Sequence, residues 1–161
     1  MSALFAQQQA LLQQQLQVLA RIESGLRYSL ERLPQPLAPG DLGKAEVLER
    51  LASINDRYTK LQDQLSAALR HAHAMIGERY RGFVDVIDWA VRLDLIAQAE
   101  VWMELRALRN RLTHDYDLEA ASMPEVLQAI REATEILAGV ILRLHSLGRR
   151  LGLLPANPPA P

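Results

Sequence analysis

Arg109, Asn110, Arg111, His114 and Tyr116 bring two guanidinium groups, a carboxamide, an imidazole and a phenol into eight consecutive residues. Such a set suits a phosphodiester. An imidazole with an ordinary pKa of about 6.5 can take the proton from a ribose 2′-hydroxyl, and a guanidinium fork can hold the phosphate as charge builds on it. DNA lacks that hydroxyl, so metal-free chemistry of this kind would act on RNA. A plainer role fits the same residues: a solvated helix face on which Arg109 and Arg111 pair with Glu104 or Asp115, with His114 a polar residue in a last helical turn.

The elements that must carry these groups follow from apolar periodicity. From Val47 the positions Leu51, Ile54, Tyr58, Leu61, Leu65, Ala68, Ala72 and Met75 recur in steps of three and four, the spacing of a helix and not of a strand. The same alternation runs through Ile130, Ala133, Leu137, Val140, Leu144 and Leu147, behind Ser122, Pro124 and Glu125, which read as N-cap, first-turn proline and capping-box acid. Leu12, Leu16, Leu19, Leu26, Leu30 and Leu33 mark an N-terminal helix, interrupted in phase at Glu23 and stopped by Pro34, Pro36, Pro39 and Gly40. A fourth seam, Val101, Leu105, Leu108 and Leu112, carries the chemical residues, and a shorter apolar stretch over 83–95 precedes it.

The predicted fold is all-α: an elongated antiparallel four-helix bundle with one additional short helix. Helices of about 30 residues would be roughly 45 Å long. Residues 1–154 are expected to form a single domain, and 155–161 a disordered Pro-rich tail. No internal repeat is present. The glutamines near the N-terminus keep their leucines in helical phase and read as a solvated face.

Composition bounds the function. The chain has 161 residues, of which 49% are apolar and 23% charged, as expected for one globular domain. It has no cysteine, which removes disulfides, thiolate metal sites and a cysteine nucleophile. A net charge of −1 argues against coating DNA or an anionic membrane, although a local basic groove remains open. The longest apolar run, 136–142, is far below the roughly 18 residues of a membrane span, so a cytoplasmic protein without membrane contact is expected. His71 and His73 are two apart and point to different helix faces, unlike the i, i+4 pair of a helical zinc site. No metal or cofactor is predicted. His145 is expected at the surface, Phe83, Trp89 and Val91 in the core, and Trp102 in core or interface packing.

On its helix, the fourth seam places Trp102, Arg109 and Tyr116 seven residues apart along one edge, with His114 on the neighbouring outer face. Arg109 and His114, five apart, diverge by about 140° on a regular helix. One helix therefore cannot aim both at one atom, whereas two copies across a two-fold axis could.

The order Arg109, four residues, His114, one residue, Tyr116, with Asn110 after the arginine, resembles the R-x-x-x-x-H-x-Y signature of the HEPN superfamily, in particular its HepT-like branch. The segment ELRALRNRLTHDYD resembles that family's motif helix over about fourteen residues. The resemblance implies a homodimeric HEPN-like bundle whose paired motif helices form a composite, metal-independent ribonuclease site. Arg109 and His114 would be the catalytic pair, with Asn110 and Arg111 in support. It further implies a toxin of a toxin–antitoxin pair whose partner is a minimal nucleotidyltransferase, MNT, that adenylylates Tyr116. A bulky anion on that phenol would repel an RNA phosphate. Asp115, Asp117 and Glu119 partly offset Arg106, Arg109 and Arg111, so RNA affinity should be modest and salt-sensitive. A related branch implies a different role, a non-catalytic substrate-binding subunit of a nucleotidyltransferase, and the seams alone would also suit a helical scaffold.

Overall fold

The structure is a computed structural model and describes residues 2–114 and 122–156, with the side chains of Thr113 and His114 outside the description. Among the described residues all regular structure is helical. The elements are α1 (Ala3–Glu31), a short 3-10 helix (Pro39–Gly43), α2 (Ala45–Ile76), α3 (Phe83–Arg92), α4 (Ala99–His114) and α5 (Met123–Arg150).

Each boundary has a local cause. Extended backbone at Ser2 lets its hydroxyl accept from Phe5 N at 3.2 Å and start α1. Helix α1 ends at Glu31, ahead of Pro34, and Leu33 still reaches the core. The end of α2 is Gly77, at φ 79°, a left-handed C-cap that a side chain would strain. Pro124 sits in the first turn of α5, as expected. The capping box expected there is not formed: Ser122 already has helical dihedrals (φ −94°, ψ −11°), whereas a capping hydroxyl needs extended backbone to reach the N3 amide.

The leucine stripe of α1 is buried throughout, and Ile54, Tyr58, Leu61 and Leu65 of α2 face the same core as Leu137, Val140 and Leu144 of α5. Polar ties set the directions. Arg57 donates to Gly25 O at 2.9 Å and to Ser29 Oγ, and Arg50 donates to Arg32 O at 2.8 Å, so α1 and α2 are antiparallel. Arg131 donates to Leu30 O at 3.0 Å, Arg27 pairs with Glu135, and Gln9 Nε2 donates to Gly152 O at 2.8 Å, so α5 also runs against α1. Helix α2 is the central element and touches all four other α-helices. That explains a second buried stripe, Gln62, Leu69 and His73, beside the seam read from the sequence.

Leu153 and Leu154 are buried, in a hook beyond α5. Gly152, at φ 68°, turns the chain, Leu153 N donates to Gly148 O at 2.7 Å, and Gln9 Nε2 also reaches Leu154 O at 3.4 Å. The core therefore extends to Leu154, and residues 157–161 of the expected tail lie outside the described residues. No described helix is long and apolar enough to cross a membrane.

Candidate functional site

Helix α4 buries Trp102, Leu105, Leu108 and Leu112, a 3-3-4 spacing that fixes which residues look outward. Two side chains of α2 fasten it. Tyr58 Oη donates to Leu105 O at 3.0 Å, and Asn55 Nδ2 donates to Leu112 O at 3.0 Å. The helices are therefore antiparallel, and the His114 end of α4 lies beside the first turns of α2. Tyr58 is fully buried, and desolvation raises its phenol above the ordinary 10.0. Asn55 satisfies one of the carbonyls that a helix end leaves without an intrahelical donor.

Arg109 lies beside the buried stripe, with its side chain 30% exposed. Its Nη2 donates to Asp63 Oδ2 at 3.0 Å and its Nη1 to Asn110 Oδ1 at 3.1 Å. An acid facing Arg109 is thus Asp63 on α2, a partner that local spacing did not suggest. Asn110 and Arg111 are exposed on the outer face of α4. The His114 side chain and Tyr116 lie outside the described residues, as do Asp115, Asp117 and Glu119.

Arg109 also opens onto a cleft of about 370 Å³ between α2, α4 and the start of α3. From α2 come Asp63, Ser66 and Arg70, at i, i+3 and i+7 on one face; from α4 come Trp102, Arg106 and Arg109; Phe83 closes the far end. The Arg70 guanidinium stands 5.3 Å from the Phe83 ring centroid, and Phe83 is tilted against Trp102 at 6.2 Å. Phe83 is only partly buried, at the cleft, rather than in the core as expected, whereas Trp89 is a core residue. Trp102 is 1% exposed and forms the cleft's inner wall, which leaves no free face on which a base could stack. Three arginines against Asp63 give the lining a charge of +2 in a protein of net −1.

No protein-family model, curated protein or solved structure matches this chain. The chemistry of the site therefore has to be read from its own residues.

A second cleft, about 340 Å³, lies between α1 and α5 and is lined by Arg27, Arg131, Glu31, Glu132 and Glu135 among others. Its two arginines against three glutamates give −1. Arg27 is tied to Glu23 and Glu135, whose carboxyl this pairing holds below its ordinary range, and Arg131 is tied to Leu30 O. Of these two clefts, the α2–α4 one has the positive surplus that favours an anion.

The two histidines of α2 diverge as their spacing predicts. His71 Nδ1 lies 2.8 Å from Gln15 Oε1, and desolvation lowers its pKa. His73 is buried edge-on to Trp89, ring centroids 5.6 Å apart, and also packs against Tyr80. His145 is exposed. Sequence reasoning missed Asp63, Ser66 and Arg70. Their i, i+3, i+7 spacing is readable, but nothing local says that this face of α2 meets α4.

Proposed function

We propose that this chain is a metal-independent endoribonuclease of the HEPN type, acting as the toxin of a pair with a nucleotidyltransferase antitoxin. The antiparallel α1, α2, α4 and α5 are read as the four-helix bundle, with α3 as the additional short helix. The observation that carries the proposal is the sequence run of Arg109, Asn110, His114 and Tyr116, with Arg109 on the wall of a basic cleft. His114 takes the proton from a ribose 2′-hydroxyl. The 2′-oxygen attacks phosphorus, the bond to the 5′-oxygen breaks, and that oxygen is protonated as it leaves, giving a 2′,3′-cyclic phosphate. Arg109 stabilises the charge on the non-bridging oxygens. Because Arg109 and His114 diverge by about 140° on one helix, the working site joins Arg109 of one copy with His114 of another across a two-fold axis. Asn110 and Arg111, exposed beside them, position the scissile phosphate. Adenylylation of Tyr116 by the antitoxin adds negative charge two residues from His114 in the sequence and switches the enzyme off.

The test is expression of the wild-type chain alone beside Arg109→Ala and His114→Ala, with total RNA examined in each. Growth arrest and RNA cleavage with the wild type alone are expected. Normal growth and intact RNA in all three, with folded protein confirmed, would reject the nuclease and favour an accessory subunit of a nucleotidyltransferase. With that partner and labelled ATP, Tyr116→Phe should lose the label; label retained at full stoichiometry would place the modification elsewhere.

A further inference from the structure

We infer that the cleft between α2, α3 and α4 holds the backbone phosphates of a single RNA strand next to the scissile one, with Arg106 and Arg70 as the phosphate-binding residues. This rests on the ribonuclease reading and deepens it. Because α2 and α4 are antiparallel, the cleft runs from Arg109 toward Trp102 and Phe83, away from the His114 end of α4. A strand cut near Arg109 would thus continue along it.

The charges lie along that path. Arg106 is one turn before Arg109 on the same face of α4. Arg70 faces it from α2, seven residues from Asp63, or about 10.5 Å along the axis at 1.5 Å per residue. That offset sets Arg70 too far along the cleft from Arg109, the partner of Asp63, to share the scissile phosphate, so Arg70 would meet a neighbouring one. Phe83 braces the Arg70 guanidinium from the far end, so less side-chain freedom is lost when a phosphate binds. Asp63 already pairs with Arg109, which leaves the surplus charge of the cleft with Arg70 and Arg106. Trp102 is buried in the wall, so the site reads the backbone and not the bases, and little sequence preference should come from it.

The test separates binding from cleavage. A short labelled oligoribonucleotide methylated at every 2′-oxygen cannot be cut by this chemistry, and its binding is followed by fluorescence anisotropy between about 50 and 200 mM salt. The proteins are the wild type, Arg70→Ala/Arg106→Ala, and a control of equal charge loss, Arg149→Ala/Arg150→Ala, at the exposed end of α5. The cleft pair should weaken binding about tenfold or more, and should flatten the plot of log affinity against log salt by about 1.4, for two phosphates on a single strand. The control should change neither by more than about twofold. Equal losses in both doubles, or wild-type affinity and salt slope in the cleft double, would overturn the inference. Its failure is distinct from failure of the nuclease reading. RNA cut by the wild type but bound normally by the cleft double removes the subsite alone; oligonucleotide lost by the cleft double, with no cleavage by the wild type, removes the nuclease alone.

Discussion

Replacing Tyr58 by phenylalanine removes one hydroxyl and leaves the ring, so it measures the bond that fastens α4 to α2. Tyr58 is fully buried, and its Oη donates to Leu105 O at 3.0 Å. A buried bond of this kind is worth about 1 kcal/mol. For a chain of this length that lowers Tm by about 2–4 °C at neutral pH. The pH dependence supplies a second, sharper consequence. Desolvation raises the folded phenol above its ordinary 10.0, while in the unfolded chain it titrates near that value. Above pH 10 the unfolded chain therefore releases a proton that the folded chain keeps, and stability falls as pH rises. The contribution is intact below the unfolded pKa and is lost toward the folded one. One unit above pH 10 the loss is about 1.4 kcal/mol, which exceeds the bond. The other tyrosines and the lysines are common to both proteins and cancel in the difference. Thermal unfolding followed by circular dichroism should thus show Tyr58→Phe less stable at pH 7, equal to the wild type between about pH 10.5 and 11, and more stable beyond. A deficit that stays constant up to pH 11, or none at pH 7, would refute the claim that a buried, protonated Tyr58 holds α4.

Asn55→Ala should cost about 1 kcal/mol by removing the donor to Leu112 O, with the loss concentrated at the end of α4. Amide hydrogen exchange should quicken in that last turn and leave α1 and α5 unchanged; uniform acceleration across all helices would mean that Asn55 does not act locally. Gly148→Ala places a Cβ 3.0 Å from Leu154 Cγ and 3.2 Å from its Cδ1, in a hook pinned by Gln9. Overpacking of about 1–3 kcal/mol outweighs the helix-propensity gain of about 1 kcal/mol, so the urea midpoint should fall. In the Leu154→Ala background the same change should become neutral or favourable, and an identical loss in both backgrounds would exclude the clash.

Periodicity alone determined the helices. Steps of three and four place Leu12, Leu16 and Leu19 on one stripe of α1, and Leu137, Val140 and Leu144 on one stripe of α5, because 3.6 residues per turn leaves no other way to bury them together. Proline and glycine determined the breaks at Pro34 and Gly77, since one lacks the amide hydrogen that a helix needs and the other tolerates a left-handed turn. The cluster of Arg109, Asn110, Arg111, His114 and Tyr116 was equally readable, because its members are near in the chain. Only the tertiary structure decided what faces them. Asp63 meets Arg109 across 46 positions and Tyr58 meets Leu105 across 47, and Gln9 holds Gly152 across 143. A helix's own period specifies which of its faces is buried but not which helix covers it. The pairing of α2 with α4, and with it the joining of Arg70, Arg106 and Arg109 in one cleft, comes from packing several stripes around one core.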